Sequence, residues 1–357
     1  MLDENIKIDN LKTLAKYREG LLKEPQLRHL FLELTLRCNE NCLHCGSRCG
    51  EVKSSEMSVE DYRKLMTKVR DDFGTKRKMI NITGGEPLLR KDFFEITKIV
   101  HELGFKWGMT SNATLITKDV AHKLRETGMS TISVSIDGLE NTHDEFRRTP
   151  GGYKRAMQGI QNLIDEDFFK HIQITTVVTH KSIKELDALY EIFDKMDIDS
   201  WRVIGIEPMG RAKDYPELLL TPEDQKYLFE FIRNKRIAGE PVVYGCSHFL
   251  GLEYEREVRD WYFLCTAGIY TASITASGDI VACLDIERRP EFVQGNIYKD
   301  DFATVWKERF KCFRRNLCED NEKCRNCKEK EFCHGGSYHS WNFDENRQEV
   351  CFKEILF

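Results

Sequence analysis

Six short apolar runs, each followed by a longer segment of helical period, set the tightest limit on what this chain can fold into. The runs are HLFLELTL (29–36), KMINIT (78–83), KWGMT (106–110), TISVSI (131–136), IQITTVV (172–178) and SWRVIGI (201–207). Near-continuous apolar strands alternating with helices indicate an α/β protein with a parallel sheet covered by helices. Helices are predicted over 58–73, 91–103, 117–127, 152–165, 181–196 and 222–235. In the first, Tyr62, Leu65, Met66, Val69 and Phe73 share one face, with Ser58 as N-cap and Asp61 at the capping-box position. Six units are too few for a closed eight-fold barrel, which leaves an open partial barrel or a doubly wound sheet. A chain of 357 residues is long enough for a second, smaller domain. The boundary is placed near Ala238-Gly239, so that 29–238 form the core and 239–357 the second domain. Residues 1–28 carry Leu11, Leu14, Ala15 and Leu22 at roughly helical spacing and are expected to form a packing helix.

The net charge of −5 offers no basic surplus for a phosphate backbone, so nucleic acid is not expected as a partner. No run approaches the roughly 20 apolar residues of a membrane span, and no secretory start is visible, so a cytoplasmic location without membrane association is expected. In that compartment 13 cysteines argue for metal binding rather than disulfides. Four lie between 38 and 49, none between 50 and 245, and nine between 246 and 351, which implies two metal regions.

The first region follows the first strand as Cys38-x3-Cys42-x2-Cys45. Three thiolates fit three irons of a cubane and leave the fourth open, whereas structural zinc takes four ligands. A zinc site using Cys49 or His44 as fourth ligand is the alternative on this segment alone. With the later strand ends the pattern resembles the radical S-adenosylmethionine (SAM) superfamily. Thr83-Gly84-Gly85-Glu86-Pro87 ends the second strand and is similar to the GGE motif, where backbone and acid meet the SAM amino group. Thr110-Ser111-Asn112 and Ser135-Ile136-Asp137-Gly138 resemble the residues that contact the ribose and methionine portions. Arg147 matches a position that pairs with the SAM carboxylate, and its neighbour Arg148 competes for the role. The resemblance therefore implies a partial (β/α)6 barrel, a 4Fe-4S cluster on Cys38, Cys42 and Cys45, and release of a 5′-deoxyadenosyl radical from SAM. EPMGRA (207–212) also recurs in such proteins, with no role evident beyond a turn.

The second region reads Cys265-x12-Gly278-x4-Cys283, then Cys324-x2-Cys327-x5-Cys333-x3-Ser337, and finally Cys351. It resembles the SPASM extension, which implies two auxiliary iron-sulfur clusters; a zinc-ribbon-like fold is the alternative on this half alone. By that resemblance Cys324, Cys327, Cys333 and Cys351 complete the second auxiliary cluster. The first keeps Cys265 and Cys283, has Cys246 as a loose upstream match, and meets Ser337 where a seventh cysteine stands in the pattern. An open ligand site on the first cluster is therefore expected, unless Cys318 closes it. Cys49, Cys312 and Cys318 have no assigned position.

SPASM-type relatives cluster in peptide and protein modification, so the expected function is ribosomal-peptide crosslinking or epimerisation, or sulfatase-type Cys or Ser oxidation. An enzyme for a small metabolite or cofactor precursor and a non-catalytic iron-sulfur or zinc scaffold are the alternatives. The expected partners are a peptide or protein substrate and a small electron donor such as flavodoxin or ferredoxin. Because 28 residues before the first strand are too few for a leader-recognition domain, a peptide substrate is expected to require a separate recognition protein, direct binding in the barrel, or a folded protein target. No motif names the substrate or the bond made.

Overall fold

The computed structural model describes residues 3–51, 54–245 and 248–356. Every predicted core strand forms: β1 His29–Glu33, β2 Met79–Thr83, β3 Lys106–Ser111, β4 Met129–Ser135, β5 His171–Val178 and β6 Ser200–Gly205. They pair in chain order, each neighbour parallel, as strand-helix-strand crossovers require. The open six-unit barrel implied by the resemblance is thus the observed fold. A short seventh strand, Val242–Tyr244, adds parallel to β6. It lies beyond the expected boundary at Ala238-Gly239.

The outer helices follow their signals closely. Val59–Phe73 starts at Ser58, whose hydroxyl accepts from the Asp61 amide while Asp61 accepts from the Ser58 amide. Pro222–Ile237 opens with the same reciprocal cap between Thr221 and Asp224. Two places depart from expectation. The predicted helix 181–196 breaks into a 3-10 turn, Ile183–Glu185, and a helix, Leu186–Phe193. An unpredicted helix, Glu140–Arg147, follows β4; its polar sequence carries no apolar period to announce it.

The C-terminal half does not sit apart. Its strand Thr271–Ile274 pairs parallel with β1, and Asp279–Val281 and Gly295–Asn296 continue antiparallel, so one ten-stranded sheet runs through both halves. The expected N-terminal helix spans Glu4–Lys23. It docks on the C-terminal half, where Arg18 donates to the Phe263 and Phe332 carbonyls at 3.2 and 3.0 Å and Lys7 pairs with Glu257 at 2.7 Å. Among the described residues no helix is long and apolar enough to cross a membrane.

One side chain fastens both stems of the cysteine loop to this frame. Arg90, 5% exposed, donates to the carbonyls of Leu34 at 2.9 Å and Met57 at 3.0 Å and pairs with Asp92 at 2.6 Å. Arg90→Leu would leave two buried carbonyls without donors, at about 1–3 kcal/mol each before relaxation. Its expected effect is a loss of about 2–4 kcal/mol in stability, read as a lower denaturation midpoint with the sheet's circular dichroism retained.

Candidate active site

The strand ends and the C-terminal half enclose a cavity of about 650 Å³. Both cysteine regions reach it: Cys38, Cys42, Cys45 and Cys49 from the first loop, Cys265 and Cys283 from the second half. Gly84, Gly85, Thr110, Ser111, Asn112, Ser135 and Arg147 also line it, as their positions at strand ends predicted. Glu86 and Asp137 are not on its wall. Cys246 lies outside the described residues.

The cysteine loop is held by backbone on two sides. The Gly85 amide donates to Thr35 O at 2.7 Å and the Glu86 amide to Arg37 O at 2.9 Å. A Cβ at Gly85 would overlap the Arg37 carbonyl and press on Cys38 Cβ. The Gly-Gly turn is therefore required, at the least, by its approach to the cysteine loop. From the opposite side comes EPMGRA, whose role the sequence left open. The Arg211 amide donates to Cys45 O at 3.1 Å, its guanidinium to Cys49 O at 2.9 Å, and a Cβ at Gly210 (φ +51°) would strike Cys45 O. The loop is closed by the Asn41 and Leu43 amides, which donate to Arg147 O and Phe146 O.

Burial pushes the Cys38 thiol up to about 11 and raises Cys42 further. Cys45 is held down at about 5 by hydrogen bonds from the Cys49 thiol and, against burial, from the Cys49 amide and Arg211. Thiols that resist ionisation in an apolar setting become ligands when a cationic metal centre supplies the missing charge. Two buried polar atoms of cavity-lining residues have no hydrogen-bond partner among the described residues, His44 Nδ1 and Glu40 Oε1. His44 stacks on Phe146 with centroids 4.5 Å apart, and burial lowers it to about 4, so it stands neutral. A polar group delivered with a cofactor fits these orphans.

Glu86 is fully enclosed. Its carboxylate accepts from Ser111 Oγ at 3.0 Å, the Asn112 amide at 2.9 Å and the Leu88 amide at 3.2 Å, which aligns the end of β3 along the cavity. Burial raises its pKa to about 7 despite these donors. Arg147 joins two acids, Asp137 at 2.7 Å and Glu40 at 2.8 Å. Burial opposes ionisation of Asp137, but the Arg147 guanidinium, with the hydrogen bond from the Val177 amide, outweighs it and holds the pKa below the usual range. Arg148 leaves the site, donating to the Tyr215 hydroxyl at 2.6 Å. Glu40, which sequence reasoning missed, carried no signal beyond its place inside the cysteine motif.

Away from the cavity, Cys324, Cys327, Cys333 and Cys351 gather as one group. Burial raises the Cys324, Cys333 and Cys351 thiols, and neighbouring thiols add to it. Cys318 belongs here too: after burial, Cys324 and Cys327 are what push it up to about 12. Cys312 instead donates to Gln294 Oε1 at 3.7 Å. Ser337 does not face the cavity; it is fully buried, with its hydroxyl 2.9 Å from Ser340 Oγ and 3.4 Å from His339 Nε2. Gly85→Ala tests the clamp on the first loop. It is expected to displace Cys38 and lower the iron bound after anaerobic reconstitution by about four atoms per chain, one cubane's worth; unchanged iron would show that the loop absorbs the methyl group.

The model described as the radical SAM superfamily matches residues 32–193, and that of an iron-sulfur cluster-binding domain, SPASM, matches 265–328. An AdoMet-dependent heme synthase of Methanosarcina barkeri is 26% identical over 334 residues, covering 86% of this chain and 92% of that protein. Mycofactocin maturase MftC of Mycobacterium tuberculosis is 28% identical over 311 residues, 85% and 76% of the two chains. Among solved structures, Streptococcus suis SuiB bound to S-adenosylmethionine superposes with TM-score 0.71 at 20% identity, covering 88% of this chain and 74% of the other. Native anSMEcpe with bound AdoMet gives 0.72 at 18%, covering 92% and 94%. With a radical SAM match over the open barrel and a SPASM match behind it, this chain belongs to the radical SAM superfamily and is a radical SAM enzyme carrying a C-terminal iron-sulfur cluster-binding domain.

Proposed function

We propose that this enzyme modifies a peptide or protein, by crosslinking, epimerisation or side-chain oxidation, with Cys38, Cys42 and Cys45 as ligands of the SAM-cleaving 4Fe-4S cluster. When bound, the cluster and SAM supply the chemistry, a 5′-deoxyadenosyl radical that takes a hydrogen atom from the substrate. The chain's part is to place them. Gly84-Gly85, Thr110, Ser111, Asn112 and Ser135 form the wall for SAM, Glu86 and Asp137 brace that wall from behind, and Arg147 presents its guanidinium between Glu40 and Asp137. Cys324, Cys327, Cys333 and Cys351 are assigned to one auxiliary cluster, with Cys318 beside it. Cys265 and Cys283 are assigned to the other, which the described cysteines leave short of ligands.

One observation carries the substrate class. Among the described residues the cavity wall bears four carboxylates, Glu33, Glu40, Glu207 and Asp285, against two guanidinium groups, Arg147 and Arg202. Glu33 pairs with Arg288 and Glu40 with Arg147, so the wall is largely charge-balanced and suits a hydrogen-bonding peptide segment. SuiB, which has this fold, has been crystallised with its precursor peptide SuiA. Electrons are assigned to a flavodoxin- or ferredoxin-like donor, and substrate delivery to a separate recognition protein. The second reading, a tetrapyrrole substrate, is favoured by the 92% coverage of the heme synthase relative.

Three measurements test this. Replacing Cys38, Cys42 and Cys45 together by Ala should abolish 5′-deoxyadenosine formation under dithionite while the iron of the C-terminal region remains; continued SAM cleavage would refute the ligand assignment. Arg147→Ala should weaken SAM binding about ten- to a hundred-fold, the worth of a charge-assisted contact, and unchanged affinity would leave Arg147 a purely structural cation. Substrate-dependent 5′-deoxyadenosine release with a peptide supports the first reading. Release with an iron porphyrin alone assigns the second.

A further inference from the structure

Three stretches far apart in sequence bring an unusual donor set to one wall of the cavity. Glu207 follows β6, His248 follows the seventh strand, and His339 lies in the turn Tyr338–Ser340 of the C-terminal half. His248 Nε2 stands 2.7 Å from Glu207 Oε1, and His339 Nε2 stands 3.4 Å from Oε2. One ligating atom from each residue falls within 4.8 Å of the other two. The side chains are 2%, 6% and 12% exposed for His248, Glu207 and His339. Only Glu207 and His339 reach the cavity, and the His248 ring closes the cluster from behind against Phe352.

We propose that Glu207, His248 and His339 bind a mononuclear divalent transition metal, of the zinc or ferrous type, distinct from every iron-sulfur cluster. Two imidazoles and one carboxylate are the donor set of zinc hydrolases and of non-haem iron sites, and they offer a cubane none of the thiolates it needs. The spacing agrees. Ligands about 2.0–2.1 Å from a tetrahedral metal stand roughly 3.3–3.4 Å apart, and the imidazoles, at 2.7 Å from Oε1 and 3.4 Å from Oε2 with all three donors inside 4.8 Å, reach that spacing by small side-chain shifts.

Three protein ligands leave a coordination position open. Because two of the three line the cavity, that position faces the space where substrate must sit, and it suits a carboxylate, carbonyl or water oxygen. Ser337 acquires a role in this arrangement. Its hydroxyl, 3.4 Å from His339 Nε2, is the group that stands where the SPASM pattern has a cysteine. A thiol there would compete as a ligand and draw the site toward sulfur, whereas serine leaves the nitrogen and oxygen set intact. The proposal is independent of the substrate assignment, since it concerns metal content rather than turnover.

The test uses the full chain with its clusters reconstituted anaerobically and zinc as the probe, because zinc is counted separately from cluster iron. The wild type should keep one zinc per chain through gel filtration. Its zinc K-edge absorption should show nitrogen and oxygen scatterers near about 2.0 Å and no sulfur shell near about 2.3 Å. Glu207→Gln and the double variant His248→Ala/His339→Ala should each weaken zinc binding by at least about tenfold while iron content stays at the wild-type value. His339→Asn, which keeps volume and polarity, gives the same reading if the double variant fails to fold. Zinc not retained by the wild type, a sulfur-dominated shell, or equal retention by Glu207→Gln and His339→Asn would each overturn the proposal.

Discussion

The site depends on a loop that cannot hold its own shape. Three cysteines within eight positions, with no regular secondary structure of their own, are rigid only because backbone from two other strand ends grips them. On one side the Gly85 and Glu86 amides pair with Thr35 and Arg37; on the other the Arg211 amide and guanidinium pair with Cys45 and Cys49. Both grips require backbone to approach backbone more closely than a Cβ allows, which is why glycine stands at 85 and 210. Arg90 does the same for the loop's two stems with a side chain.

Charge is handled inside this frame by enclosure rather than by solvent. Arg147 sits between Asp137 and Glu40, and Asp137 in turn accepts from the Val177 amide at 2.8 Å, so strands β4 and β5 and the helix Glu140–Arg147 are tied at the cavity's edge. A buried pair of this kind is weak evidence for stability, but breaking it strands a charge, so it fixes geometry strongly. Glu86 shows the opposite balance. Its donors do not fully offset burial, so its pKa is raised to about 7 while it holds Ser111 Oγ and the Asn112 amide at 3.0 and 2.9 Å.

The C-terminal half completes the cavity because it continues the sheet. Pairing of Thr271–Ile274 with β1 sets the register that carries Cys283 to the same space as Cys38, and the N-terminal helix braces the arrangement through Arg18. Both halves therefore wall one cavity, with Cys38 and Cys42 of the first loop and Cys265 and Cys283 of the second half on the same space.

The alternation of apolar runs with helical segments determined the parallel open barrel, because period and length report which faces of a strand or helix are buried. Local chemistry likewise determined the caps at Ser58 and Thr221 and the thiol triad, since each is written in a few adjacent residues. Tertiary structure alone decided the rest. Whether Glu86 faces ligand or wall, whether Arg147 or Arg148 turns inward, and why EPMGRA exists all depend on distances between residues remote in sequence. The strongest case is the meeting of Glu207, His248 and His339. No spacing announces it, because each arrives on a different element and only the packing of those elements brings their donor atoms together.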